Sequence, residues 1–173
     1  MVATSVTLPK VEDTEEFGRE LGELVRGGDL LLLAGPLGAG KTALVRGLAS
    51  GLGVTGRVSS PTFVIARVHE PSPEGRGVPL VHVDAYRLGG HLDELDDLDL
   101  DTDLVDAVVA VEWGEGMAER LSEDHLLIRL ERHEDDVRTA HLVPHGSWTT
   151  RELPQGPAAA SQGPATSQDS ATS

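Results

Sequence analysis

Residues Gly35-Pro36-Leu37-Gly38-Ala39-Gly40-Lys41-Thr42 set the spacing Gly-x4-Gly-Lys-Thr between an apolar run, Leu30-Leu31-Leu32-Leu33-Ala34, and a stretch whose apolar residues recur at helical intervals. At this composition the pattern is expected by chance in roughly 0.003 chains of this length. The physical reading is a strand, a tight glycine turn and a helix start. Glycines take backbone angles closed to other residues, so successive N–H groups turn inward at a helix N-terminus and cradle anionic oxygens. In that arrangement Gly35, Leu37, Gly38, Ala39, Gly40 and Ala43 line phosphates, Lys41 reaches the terminal ones and Thr42 offers a hydroxyl to Mg²⁺. The chain has only two lysines, Lys10 and Lys41, among 14 basic residues. One of them stands in the slot that calls for a compact, flexible ammonium. A bound nucleoside triphosphate is the expectation. Pro36 lacks an N–H but precedes the part of the loop that faces phosphate.

The flanking pattern predicts the fold class: α/β, a P-loop NTPase-like three-layer sandwich with a mixed, mostly parallel sheet flanked by helices. Ser5 to Pro9 reads as a short edge strand. Asp13-Thr14-Glu15-Glu16 resembles a helix N-cap with a carboxylate three positions on, followed by Phe17, Leu21, Leu24 and Val25 at helical spacing. Leu30 to Ala34 has the unbroken apolar character of a strand buried on both faces. Leu44, Val45, Leu48 and Leu52 keep one helical face apolar until Gly53. Further strands are expected at 63–68, 80–86, 107–113, 126–131 and 139–143, with a turn-rich loop over 71–77.

Residues 1–150 are expected to form one ATPase-type domain, and 151–173, rich in Pro, Gln, Gly, Ala, Ser and Thr, a disordered tail that cannot offset its ordering entropy. With no cysteine, disulfides and thiolate zinc sites are excluded. No basic and apolar leader and no membrane-length segment is seen, so a cytoplasmic setting without membrane contact is expected. A net charge of −15 has the wrong sign for gripping nucleic acid directly, so any RNA would be held by a partner.

A phosphate loop needs a carboxylate at a neighbouring strand end for its Mg²⁺. Val108-Val109-Ala110-Val111-Glu112 makes Glu112 the candidate, against the alternative of a solvent-facing acid. Asp84, ending the run from Leu80, could orient the attacking water or sit in the magnesium shell. Ser59-Ser60-Pro61-Thr62 could be a switch segment or a plain turn. His82, two before Asp84, could pair with it on a metal but reads more readily as a packed histidine. The acidic run 93–103 fails the calcium-loop pattern at Thr102 and Val108, leaving a solvated face or a docking surface.

Taken together, GPLGAGKT, SSPTF, HVDAYRL and VEWGEG, in this order over roughly residues 5–145, resemble the TsaE (formerly YjeE) family, the ATPase of tRNA threonylcarbamoyladenosine synthesis. The resemblance implies an ATP hydrolase that joins a TsaB–TsaD heterodimer, which modifies adenosine 37 of tRNA, and resets that transferase between turnovers. It also implies that tRNA is met only through the complex. On this footing Lys41 holds phosphates, Thr42 and Glu112 bind Mg²⁺, and Asp84 and Thr62 lie near the terminal phosphate. Trp113 follows Glu112 as in the family, and Thr14 resembles a position near the adenine. The chain departs from the commoner pattern at Pro36, Phe63, Ala85 and Gly114, and Phe63 supplies no hydroxyl.

Two other classes compete. A small-molecule P-loop kinase would need a second pocket and an arginine-bearing lid, where the middle of this chain is acidic. A nucleotide-gated adaptor would dock in its ATP state with negligible hydrolysis. A GTPase is disfavoured because the chain has no Asn for a guanine-reading Asn-Lys-x-Asp motif. No arginine finger is evident, so turnover by the isolated chain is expected to be weak.

Overall fold

A computed structural model of the chain describes residues 4–36, 39–55, 66–84, 106–112, 124–135 and 137–154, with Ala66 and Asp84 in backbone detail only. The elements are β1 (Thr4–Leu8), α1 (Val11–Leu24), β2 (Leu30–Ala34), α2 (Lys41–Leu52), β3 (Ala66–His69), β4 (Leu80–Asp84), β5 (Val108–Glu112), β6 (His125–Arg132) and β7 (Arg138–His145), followed by a 3₁₀ turn over Gly146–Thr150. The strands form one sheet in the order β1-β7-β6-β2-β5-β4-β3. The middle four, β6, β2, β5 and β4, run parallel, and both flanks pair antiparallel. The mixed α/β class expected from the sequence is therefore present, but the sheet is not mostly parallel: three parallel pairings at its centre are flanked by three antiparallel ones.

Burial explains that arrangement. Every residue of β2 and of β5 is buried, as continuous apolar runs in a doubly covered parallel strand should be. β1 alternates, with Val6 and Leu8 inward and Thr4, Ser5 and Thr7 exposed. It ends at Pro9, as a half-solvated edge strand can. The core on one sheet face joins Leu31, Leu33, Ala110, Leu126 and Ile128 to Phe17, Leu21, Leu44 and Leu48 from the helices.

The N-cap of α1 is Lys10, three residues before the expected cap at Asp13. Asp13 is inside the first turn, where its carboxylate accepts the Lys10 backbone N–H at 3.0 Å, so it closes the turn from within. Helix α2 ends as expected at Gly53, whose φ of 75° lets its N–H bond back to Ala49 at 2.9 Å.

The two helices meet through backbone. A Cβ added to Gly18 would fall on the Leu44 carbonyl oxygen, one on Gly22 on that of Leu48, one on Gly47 on that of Glu15, and one on Gly51 on that of Arg19. Each interior glycine costs about 1 kcal/mol of helix propensity relative to Ala. The cost is offset by the close approach it permits.

The β3–β4 connection collects the carbonyls left over at both helix ends. The Arg76 guanidinium donates to Gly22 and Val25 at 2.7 Å each, its N–H donates to Leu52, and both the N–H and the hydroxyl of Ser72 donate to Gly53. At the other terminus Trp148 is buried, Arg151 stacks on it 3.8 Å from the ring centre, and the same guanidinium bonds Asp29 at 2.8 Å and the Leu24 carbonyl at 3.0 Å. Packing thus continues through Arg151 and the partly buried Leu153. The expected tail lies, from residue 155 on, outside the described residues. Among those described, no helix is long and apolar enough to cross a membrane.

Candidate functional site at the carboxyl ends of the parallel strands

Because β6, β2, β5 and β4 are parallel, their carboxyl ends share one edge of the sheet. In open α/β sheets that edge is where ligands bind. Here it gathers the glycine loop after Ala34, Asp84 at the end of β4, Glu112 at the end of β5 and Arg132 at the end of β6. β7 runs antiparallel to β6, so its first residue, Arg138, is at the same edge, and the start of α1 follows the end of β1 there.

The loop is shaped by its glycines. Gly35 has φ 143°, and a Cβ on it would lie 2.5 Å from the Leu130 carbonyl oxygen. Gly40 has φ 106°, in the left-handed region, and its carbonyl accepts the Leu44 N–H at 2.9 Å to start α2. Ala39 is buried, and its N–H reaches the Pro36 carbonyl at 3.2 Å. Leu37 and Gly38 lie outside the described residues. Lys41 is only 7% exposed, and its ammonium turns back on the loop, donating to the Gly35 carbonyl and, at 3.2 Å, to that of Pro36. Thr42 and Ala43 follow, half-buried, in the first turn of α2.

Gly40 is enclosed from two sides. Its notional Cβ would meet the Arg138 side chain at 3.3 Å and the Thr14 methyl at 3.5 Å. Thr14 is fully buried, and its hydroxyl has no hydrogen-bond partner among the described residues. Sequence reasoning reached Thr14 through resemblance and did not single out Arg138. Spacing could not have flagged it, because only the antiparallel return of β7 brings residue 138 back to residue 40. Lys10, Lys41, Arg129, Arg132 and Arg138 bring positive charge to this edge of a chain whose net charge is −15. Set among the acids Asp13, Asp84, Glu112 and Glu131 of the same edge, these cations are the groups that could meet an anion.

Glu112 pairs in register with Leu33 on one side and Asp84 on the other. It is 5% exposed, so the solvent-facing alternative does not hold. Its carboxylate accepts a hydrogen bond from Nε2 of His82, itself fully buried. His82 is thus packed, as the sequence suggested, and is also tied to the acid. A buried carboxylate and a threonine hydroxyl beside a phosphate-type loop are hard oxygen donors of the kind Mg²⁺ takes, one or two from protein and the rest from phosphate and water. The donor set fits that ion. The Asp84 side chain, Thr62, Trp113, the segment 59–62 and the acidic run 93–103 lie outside the described residues.

A parallel strand feeding a Gly-x4-Gly-Lys-Thr loop into a helix, with an acid ending the adjacent parallel strand, defines an α/β domain of the P-loop type. The profile of the family described as threonylcarbamoyl adenosine biosynthesis protein TsaE matches residues 8–140. A Streptomyces coelicolor protein named tRNA threonylcarbamoyladenosine biosynthesis protein TsaE is 62% identical over 143 residues, covering 80% of this chain and 95% of that protein. A Bacillus subtilis protein of the same name is 38% identical over 128 residues, covering 73% and 77%. The crystal structure of Bacillus subtilis YdiB superposes with a TM-score of 0.66 at 32% identity, covering 84% of this chain and 87% of that one. The chain belongs to the TsaE family, whose role lies in the biosynthesis of threonylcarbamoyladenosine in tRNA.

Proposed function

We propose that this chain is an ATPase serving tRNA threonylcarbamoyladenosine synthesis, binding Mg-ATP at the loop 35–42 and acting on a TsaB–TsaD heterodimer. The observation that carries the reading is Lys41: a nearly buried ammonium turned back on the loop at the entrance of α2, donating to the carbonyls of Gly35 and Pro36. Anionic phosphate oxygens are stronger partners for it than neutral carbonyls. Binding ATP would therefore exchange those contacts, with the loop N–H groups and the α2 N-terminus receiving the same phosphates.

Thr42 and Glu112 are the residues that would hold Mg²⁺, which when bound offsets charge on the phosphates. Asp84, ending the strand next to Glu112, is assigned with Thr62 to the neighbourhood of the terminal phosphate, where a carboxylate can orient water. Thr14 is assigned to the nucleoside side, and Trp113, next to Glu112 in sequence, to the nucleotide site. We expect weak turnover until a partner completes the site.

The test is phosphate release from Mg-ATP by the chain and by Lys41→Ala, each with and without TsaB–TsaD. Release that depends on Lys41 and rises with the pair supports the reading. Release indifferent to the pair assigns the site to another ATPase or kinase role.

A further inference from the structure

We propose that His82 is a positioning residue that fixes the Glu112 carboxylate for the metal ion, an inference that rests on the assignment of Glu112 as a magnesium ligand. His82 stands opposite Ala110 in the β4–β5 register, and Glu112 is two residues further along β5 on the same face. The small side chain of Ala110 leaves room for the imidazole to run along the sheet to the acid. Both groups are buried, at 0% and 5% exposure, and Nε2 of the ring contacts Oε2 of the carboxylate.

An ionised carboxylate only accepts, so the ring carries its hydrogen on Nε2. Nδ1 is buried as well and has no partner among the described residues. A buried polar atom left unsatisfied is costly, and an apolar side chain at residue 82 would extend the adjacent core of Leu80 and Ala110 without that cost. What the histidine supplies in return is one constraint on the carboxylate: with Oε2 held by the ring, the group is not free to rotate and its second oxygen is left to a ligand. Hydrogen bonds of this kind to a ligating carboxylate set its direction and commonly govern metal affinity by 10–100-fold, on the order seen for outer partners generally.

The experiment measures Mn²⁺ binding by electron paramagnetic resonance to the full chain with a non-hydrolysable ATP analogue, alongside thermal unfolding. His82→Leu is expected to weaken Mn²⁺ binding roughly tenfold or more while unfolding cooperatively near the wild-type temperature. His82→Gln, whose amide N–H₂ reaches about as far as Nε2, is expected to restore most of it. His82→Asn, too short to reach, is expected not to. Glu112→Gln separates the two assignments. If it leaves Mn²⁺ binding unchanged, Glu112 is no ligand and the proposed function loses its metal site. If it weakens binding while folded His82→Leu, or His82→Asn should the leucine variant not fold, binds as wild type, the positioning role of His82 is overturned.

Discussion

The Lys41 ammonium donates to the carbonyl of Gly35, the first residue of the loop that Lys41 itself closes. The lysine is thus stored in place, nearly dry, on contacts that phosphate can replace. Lys41→Ala is expected to lower ATP affinity by roughly tenfold or more, the scale of one charge-assisted hydrogen bond. Lys41→Arg is expected not to rescue it, since a planar guanidinium cannot take the same pocket. Calorimetric titration with Mg-ATP decides this, and affinity equal to wild type in Lys41→Ala would end the assignment.

Arg138, at the start of β7, packs its side chain against Gly40. Its charge at the phosphate edge is expected to favour ATP, so Arg138→Ala should weaken binding by about tenfold. Arg138→Lys should recover part of the loss. Equal affinities for all three proteins would reduce Arg138 to a cover for the glycine.

Gly47→Ala tests the helix contact. Alanine is the better helix former by about 1 kcal/mol, yet its methyl would enter the Glu15 carbonyl. Overpacking of that kind costs about 1–3 kcal/mol, so net destabilisation is expected in chemical denaturation. Ser50→Ala, at an exposed position of the same helix, should be neutral or mildly stabilising. A stabilised Gly47→Ala would mean that the helices separate freely.

His69 gives a pH dependence of defined sign. Burial, with smaller effects from His82 and Arg67, holds its imidazole below the ordinary value, against an opposing hydrogen bond to the Thr55 carbonyl. In the unfolded chain the ring protonates near pH 6.5, so on acidification the unfolded state takes up the proton first. The contribution of His69 is therefore complete above pH 6.5 and is lost as pH falls from there through the lower folded-state value. Unfolding midpoints between pH 7.5 and 5 should fall less steeply in His69→Gln than in wild type, and parallel curves would contradict the assignment.

The parts of the fold that sequence revealed are those governed by local pattern. The all-apolar run of β2, the 3.6-residue stripes of Phe17 to Leu21 and Leu44 to Leu52, and the stop at Gly53 are readable because burial writes them directly into residue order. The start of α1 was placed late because Asp13 is as comfortable inside the first turn as at the cap. The glycines at 18, 22, 47 and 51 carried a signal in their i, i+4 spacing, but that spacing shows a close approach only once a partner helix is known. Arg138 beside Gly40 and His82 on Glu112 depend on strand order, which no stretch of neighbouring residues encodes.

Helices α1 and α2 approach each other at four glycines closely enough for α-carbons to face carbonyl oxygens. At those points any sliding of one helix along the other needs backbone, and not only a rotamer, to give way. The pair bears Thr14 and Thr42 at the loop end, and α1 carries Glu16, Glu20 and Glu23 along its length. A tilt of α2 at the loop is therefore expected to carry those acids with it.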